Sequence, residues 1–196
     1  MREEDLEEYL ASSSSLAKVI NSNLLRTSEI IKNFKQVAVD QNSDQKRSFR
    51  VKEYIKGILI SIDSITKQKV IDFKIDCNDD LEIISYPGLF AQIITNLVSN
   101  SIIHGFNNKK EGVISFKIRL SEKTLCLEYN DNGKGILAEN LIKIYEPFFT
   151  TNRENGGTGL GLNIIYNIIT VNLKGSIHCE SEEGHGSAFT IVFPLN

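Results

Sequence analysis

The chain has 196 residues, 41% hydrophobic and 24% charged, with a formal net charge of −3, an ordinary composition for a globular protein that offers no basic surface to nucleic acid. No uncharged apolar run reaches the ~18 residues of a membrane span, and the acidic start MREEDLEEYL is unlike a signal peptide. Cys77, Cys126 and Cys179 have no paired spacing and are expected to be packing residues in a reducing compartment, not disulfide or zinc ligands.

The first glycine is Gly57 and the first proline Pro87, so a long uninterrupted segment comes first. Its apolar or small positions fall at Leu16, Ile20, Leu24, Thr27, Ile31, Phe34 and Ala38, in steps of four and three that suit a bundle seam. Because the polar stretch Gln41–Ser48 separates this helix from the rest of the chain, a bundle is expected over a helix lying on its own domain. The boundary is drawn at 45/46. A second helix is predicted from Val51 to Ile65, with Tyr54, Ile55, Ile58, Leu59 and Ile62 on one face. The period then shortens: VIDFKID (Val70–Asp76) and LEIIS read as strands. Tyr86–His104 begins with a proline and reads as a helix. VISFKIRL and TLCLEYN are predicted strands, LIKIY a short helix, and another long helix starts near Thr158. Ser176 to Leu195 reads as a strand hairpin.

Four elements carry chemistry. Asn96 and Asn100 lie four apart, on one helix face. DNGKGI (Asp131–Ile136) follows a strand. EPFFTT leads through Asn152–Asn155 into GGTGLGL, and EGHGSAF (Glu183–Phe189) comes last. Each is weak alone; together and in this order they are specific.

These motifs resemble the ATP-binding catalytic domain of bacterial two-component sensor histidine kinases, of the GHKL superfamily. NLVSN is similar to their N box, DNGKG to the G1 box, EPFFTT to the F box, GGTGLGL to the G2 box and GHGSAF to the G3 box. The resemblance covers about Val51 to Asn196; Leu6 to Gln41 is similar to part of the dimerisation and phosphotransfer hairpin. It implies an α+β fold, an α/β sandwich of three helices on a mixed sheet, preceded by that hairpin helix. ATP would lie between the helices under a mobile lid.

The residues support such a site physically. The Asp131 carboxylate accepts hydrogen bonds and suits the exocyclic amine of adenine, whereas guanine presents a carbonyl there. Gly133 and Gly135 admit a flat base without a Cβ clash. By resemblance Asn100 is the Mg2+ ligand, a neutral oxygen that does not repel phosphates. Asn96 falls where hydrolysing relatives carry a glutamate; an amide is no general base, so slow hydrolysis is expected. The glycine-rich run is not a P-loop, since no Gly-Lys-Ser/Thr comes after it. Gly159 and Gly161 would turn backbone N–H groups at a helix start onto phosphate, Gly156 and Gly157 would hinge the lid, and Phe148 and Phe149 would anchor its other end by burial. The resemblance carries further ATP contacts to Ile136, Thr150, Thr151, Thr158, Leu160 and Leu162, as well as to Phe149. Ser187 falls where the family has a hydroxyl near adenine; a strand hydroxyl with no ligand fits equally. His104 falls where relatives often place an aromatic, and a satisfied helix-end histidine fits equally.

Two departures from the pattern stand out. Ile103 occupies the place of a basic residue that reaches the phosphates in many relatives; Arg153 is the candidate substitute. The phosphoacceptor is absent as well: His104, His178 and His185 are followed by Gly, Cys and Gly, and all fall in the ATP-binding part. The chain is therefore expected to be the C-terminal part of a longer kinase, acting on a phosphotransfer helix of the same or a partner subunit. A homodimer, a downstream response regulator, no nucleic acid, and a cytoplasmic location with a possible inner-membrane anchor upstream complete the expectation. A GHKL ATPase or clamp, an anti-sigma-type serine kinase and a non-catalytic nucleotide sensor are the rivals.

Overall fold

The computed structural model describes residues 16–18, 20, 21, 24, 45–63, 69–107, 109–153 and 157–195, with 60, 61 and 63 described by their backbone. The chain divides into two units, Met1–Ser43 and Asp44–Asn196. In the first, residues 16–18, 20, 21 and 24 are helical, and Leu16, Ile20 and Leu24 are exposed. The rest of the predicted stripe, from Thr27 to Ala38, lies outside the described residues, as do Ile65 and Gly156.

The second unit opens with β1 (Arg47–Arg50) and runs directly into α1 (Val51–Asp63). β1 was not legible in the sequence, because its one apolar residue, Phe49, sets no pattern. Phe49 buries itself beside Tyr54 and Phe90, and β1 pairs antiparallel with β3 (Glu82–Ser85) as a separate two-stranded sheet.

The main sheet has β2 (Val70–Asp76), β4 (Glu111–Ser121), β5 (Thr124–Asp131), β6 (Ser176–Glu182) and β7 (Gly186–Pro194), in the order β2-β4-β5-β7-β6. Only β2 and β4 are parallel. Parallel neighbours need a long crossover, and α2 (Pro87–Asn100) lies within it. Side chains alternate along each strand. One face carries Ile114, Phe116, Ile118, Leu125, Leu127, Tyr129, Ile191 and Phe193, all at most 1% exposed. Ile93, Ile94, Leu97 and Val98 of α2 and Ile165 of α4 (Gly161–Asn167) belong to the same core. The other face carries the ion pair Lys117–Glu128. This is the expected sandwich of helices on a mixed sheet.

Three boundaries differ from the sequence reading. The Tyr86–His104 helix is α-helical only to Asn100; Ser101–Gly105 widens to a π-helical segment, closed by Phe106 N donating to Ser101 O at 2.7 Å. The short helix is α3 (Ala138–Leu141), not Leu141–Tyr145, which is mostly turn; Pro147 disfavours helix just before it. The last helix starts at Gly161 rather than Thr158, since Gly159 has φ +68 and cannot be helical. A second π-helical segment, Ile168–Asn172, extends it.

Candidate functional site

The site gathers at the end of β5. Asp131 is the last residue of that strand and is 8% exposed. Its Oδ1 accepts from Gly133 N at 2.8 Å and its Oδ2 from Ser101 Oγ at 2.7 Å. Burial raises its pKa above the ordinary aspartate value, opposed by Ser101, the amides of Gly133 and Ser187, and the charge of Lys109. The carboxylate is thus desolvated, yet held by donors on both oxygens.

The loop after Asp131 is pinned from several sides. Asn132 Oδ1 accepts from Val113 N at 2.8 Å, and Lys109 Nζ donates to Asn132 O at 2.7 Å. Gly133 packs backbone against backbone on Gly105: a Cβ at 133 would stand 2.7 Å from Gly105 Cα and 2.7 Å from Asp131 Oδ1. Lys134 N donates to Gly105 O at 2.9 Å. Gly135 has φ +74 and lies under Glu182 O, so this glycine serves the β6–β7 turn as well as the loop. Ile136 N donates to Ser181 Oγ at 2.9 Å, and that hydroxyl donates to Gly186 O at 2.6 Å. Ser187, opposite Asp131 across β5 and β7, has its hydroxyl 3.2 Å from Ser181 Oγ.

Asn96 and Asn100 meet the start of α4. A Cβ on Gly161 would lie 3.2 Å from Asn100 Oδ1 and 3.6 Å from Asn96 Oδ1. Asn100 Nδ2 is buried with no hydrogen-bond partner, which is costly unless something polar completes it. Amide O and N exchange on a 180° turn, so the same place can present the oxygen. The donor set fits a group that takes one neutral amide from the protein.

The glycine-rich segment folds onto the residues before it. Gly157 is buried, with a hypothetical Cβ 2.5 Å from Thr150 Oγ1. Thr150 Oγ1 accepts from Asn152 N at 3.1 Å. Gly159 lies on the carbonyls of Phe148 and Phe149. Thr158 Oγ1 and Leu160 N are 3.4 Å apart, ahead of the half-buried Leu162 on the first turn of α4. Phe149 packs against the core, but Phe148 does not: it is 63% exposed with φ +65. Its left-handed backbone turns the ring outward, so the expected burial of Phe148 is corrected.

Some expected residues stand apart. Arg153 is exposed and donates to Phe148 O at 3.1 Å, so its guanidinium closes a turn of its own segment. Thr151 is exposed. His104 is half-buried on the π-helical segment; burial, then the charge of Lys134, lowers its pKa. A cleft of about 420 Å³ is lined by Asp131, Ser181, Gly186 and Ser187 together with Asn130, Glu180, Glu182, His185 and Ala188. Its two glutamates disfavour an anion there. Ser101, Gly105 and Tyr129 were missed in the sequence. Each looks like an ordinary helix or strand residue until the π-helical segment turns 101 and 105 toward Asp131.

This architecture has known relatives. Residues 86–196 match the family described as histidine kinase-, DNA gyrase B-, and HSP90-like ATPase. The chain belongs to that family, and within it the fold and the relatives are those of sensor histidine kinase catalytic domains. The sensor histidine kinase ZraS of Escherichia coli (strain K12) is 37% identical over 139 residues, 70% of this chain and 28% of that protein. The signal transduction histidine-protein kinase ArlS of Staphylococcus aureus (strain USA300) is 32% identical over 162 residues, 79% of this chain and 34% of that protein. The chain thus spans a third or so of these curated relatives, or less. The nucleotide-free catalytic domain of the histidine kinase ThkA is similar with a TM-score of 0.66 at 28% identity, over 77% of this chain and 96% of that one.

Proposed function

We propose that residues 46–196 bind Mg–ATP and transfer its γ-phosphoryl group to a histidine outside this chain's own three, as the catalytic domain of a two-component sensor kinase. Residues 1–45 are then part of the phosphotransfer and dimerisation hairpin. The observation that carries this reading is the Asp131 carboxylate, desolvated yet held by donors on both oxygens beside the packed Gly105 and Gly133 backbones. Such a group accepts the 6-amino group of adenine and opposes the carbonyl of guanine.

Each residue then has a role. Asn100 presents its amide to magnesium, and Gly161 leaves room beside it. Magnesium, when bound, neutralises phosphate charge and orients the transferring group. Backbone N–H groups near Gly159, Leu160 and Gly161 face the phosphates, with Thr150, Thr151 and Thr158 on the lid side. Ile136, Phe149 and Leu162 line the site with apolar surface. Ser187 and Ser181 hold the wall behind Asp131, and His104 lies beside the nucleotide. Arg153, now on the Phe148 carbonyl, is the lid cation free to exchange that contact for phosphate. Asn96 cannot take a proton from water, so the site keeps its phosphoryl group for an acceptor.

The full protein is proposed to act as a homodimer that passes the phosphoryl group to a response regulator; a complex of ThkA with the response regulator TrrA is known. No helix among the described residues is long and apolar enough to cross a membrane, and a cytoplasmic place for this domain is proposed, with any inner-membrane anchor in other parts of the protein. Calorimetry with Mg–ATP and Mg–GTP tests the reading. Binding of ATP alone is expected; equal binding of both sinks it. Rapid phosphate release with no acceptor, abolished by Asn96→Ala, would favour a GHKL ATPase instead.

A further inference from the structure

Asp131 is held by more than its own loop. Ser101 Oγ donates to Asp131 Oδ2 at 2.7 Å and lies 2.7 Å from the Tyr129 hydroxyl. A serine hydroxyl has one proton. While it donates to the carboxylate it must accept from Tyr129, so the three groups form a relay with one direction. The Leu97 carbonyl, 3.2 Å from the tyrosine oxygen, is a longer second acceptor for the same proton. Ser101 is 4% exposed and Tyr129 1%, so water does not compete for either.

The relay is built on rigid parts. The Tyr129 ring meets Phe116 edge-on at 5.2 Å and lies 6.3 Å from Phe189. Ser101 opens the π-helical segment directly after Asn100. One turn of backbone thus carries Asn100, which faces Gly161, and Ser101, which faces Asp131. π-helical insertions of this kind recur at functional sites.

We propose that Ser101 and, through it, Tyr129 are positioning residues for recognition of the adenine 6-amino group; this rests on the reading of Asp131 as the acceptor of that amine. Gly133 N on Oδ1 and Ser101 Oγ on Oδ2 fix the carboxylate plane, and an acceptor held in place loses less entropy on binding. Without the Ser101 hydroxyl, Oδ2 is a buried oxygen missing its donor. The carboxylate keeps Gly133 N on Oδ1 but loses the bond that fixes its second oxygen, and the loss falls on ligands that carry the amine.

The test compares two ligands, Mg–ATP and the Mg complex of purine riboside triphosphate, which has hydrogen in place of the 6-amino group. Calorimetry is run on the whole chain as wild type, Ser101→Ala and Tyr129→Phe. Wild type is expected to prefer ATP. Ser101→Ala should weaken ATP by about tenfold, the scale of one hydrogen bond to a charged group, and leave the analogue nearly unchanged. Tyr129→Phe, which keeps the ring packing, should act in the same direction and less. Equal weakening of both ligands would mean a structural role only and overturn the proposal, as would a full ATP preference in both variants. If Ser101→Ala fails to fold, Tyr129→Phe decides alone by whether the ATP preference shrinks. A wild type with no preference would instead remove the Asp131 reading beneath it.

Discussion

Gly161 stands against Asn100: a Cβ there would lie 3.2 Å from Oδ1 and 3.4 Å from Nδ2 of the amide. That space separates the first residue of α4 from the last residue of α2. Gly161→Ala should crowd the amide and weaken Mg–ATP binding by roughly tenfold, about 1.4 kcal/mol. Thermal stability should change little, since the first helical position gains less from alanine than a helix interior does and the added Cβ meets the Asn100 amide. Asn100→Ala should weaken binding further, and only in the presence of magnesium, while Asn96→Ala should change slow hydrolysis little. Calorimetry with and without magnesium, beside thermal unfolding, separates these outcomes.

Asp131 sets function against stability. Burial raises its folded-state pKa, so the folded chain binds this proton more tightly than the unfolded one. The associated stability is fully present below the ordinary aspartate pKa and is lost as pH rises through the raised value. At neutral pH the buried charge therefore costs stability. Asp131→Asn keeps an acceptor for Gly133 N and can pair its amide with Ser101. It should unfold at the same or a higher temperature at pH 7, with a smaller difference at pH 4. ATP affinity should fall by about 10- to 100-fold, the value of a charge-assisted hydrogen bond of ~1.5–3 kcal/mol. A variant destabilised at pH 7 that keeps its affinity would contradict both halves.

Much of this fold was legible because its signals are local. Alternation in VIDFKID and TLCLEYN, the Pro87 helix start and the Ser176–Leu195 hairpin all read directly from residue order, and so did the site's four motifs. What was illegible depends on contacts distant in sequence. Ser101 and Gly105 matter because a π-helical segment aims them at β5, a change of hydrogen bonding that no pattern of apolar residues encodes. Phe148 was expected to be buried as an anchor of the lid; its positive φ comes from the Glu146–Phe149 turn, closed by Phe149 N donating to Glu146 O at 3.3 Å with Pro147 and Phe148 at its central positions. β1 is too short to show a period.

Glycines 57 and 159 should respond in opposite ways to the same substitution. Gly57 lies inside α1, and a Cβ there would meet nothing within 4 Å. Gly57→Ala should stabilise the domain by up to ~1 kcal/mol. Gly159 has φ +68, and a Cβ would fall 2.4 Å from the Phe148 carbonyl carbon. Gly159→Ala faces backbone overlap as well as the ~1–2 kcal/mol penalty of a left-handed conformation. It should lower the unfolding temperature, speed proteolysis between Phe148 and Gly159, and weaken ATP binding. Limited proteolysis with and without nucleotide reads the effect directly.

The acceptor decides what the chain can do alone. In-line transfer needs a histidine nitrogen brought to the γ-phosphate. His104 is half-buried at the edge of the site with its pKa lowered, on a segment fixed by Phe106 N to Ser101 O and Lys134 N to Gly105 O. His178 lies on β6 and points to solvent 3.6 Å from Glu180, and His185 sits in the β6–β7 turn 3.7 Å from Glu182. Each is tied to the scaffold that would hold ATP, so none can approach it as a separate helix would. The 196-residue chain should therefore bind Mg–ATP and take up no acid-labile label from γ-labelled ATP. Adding a helical hairpin that carries a histidine followed by an acidic residue should produce label on that hairpin, and Asp131→Asn should reduce it in proportion to lost ATP affinity. Acid-labile label mapped to any of the chain's own three histidines would show that the scaffold is more mobile than its hydrogen bonds imply, and that no outside acceptor is required.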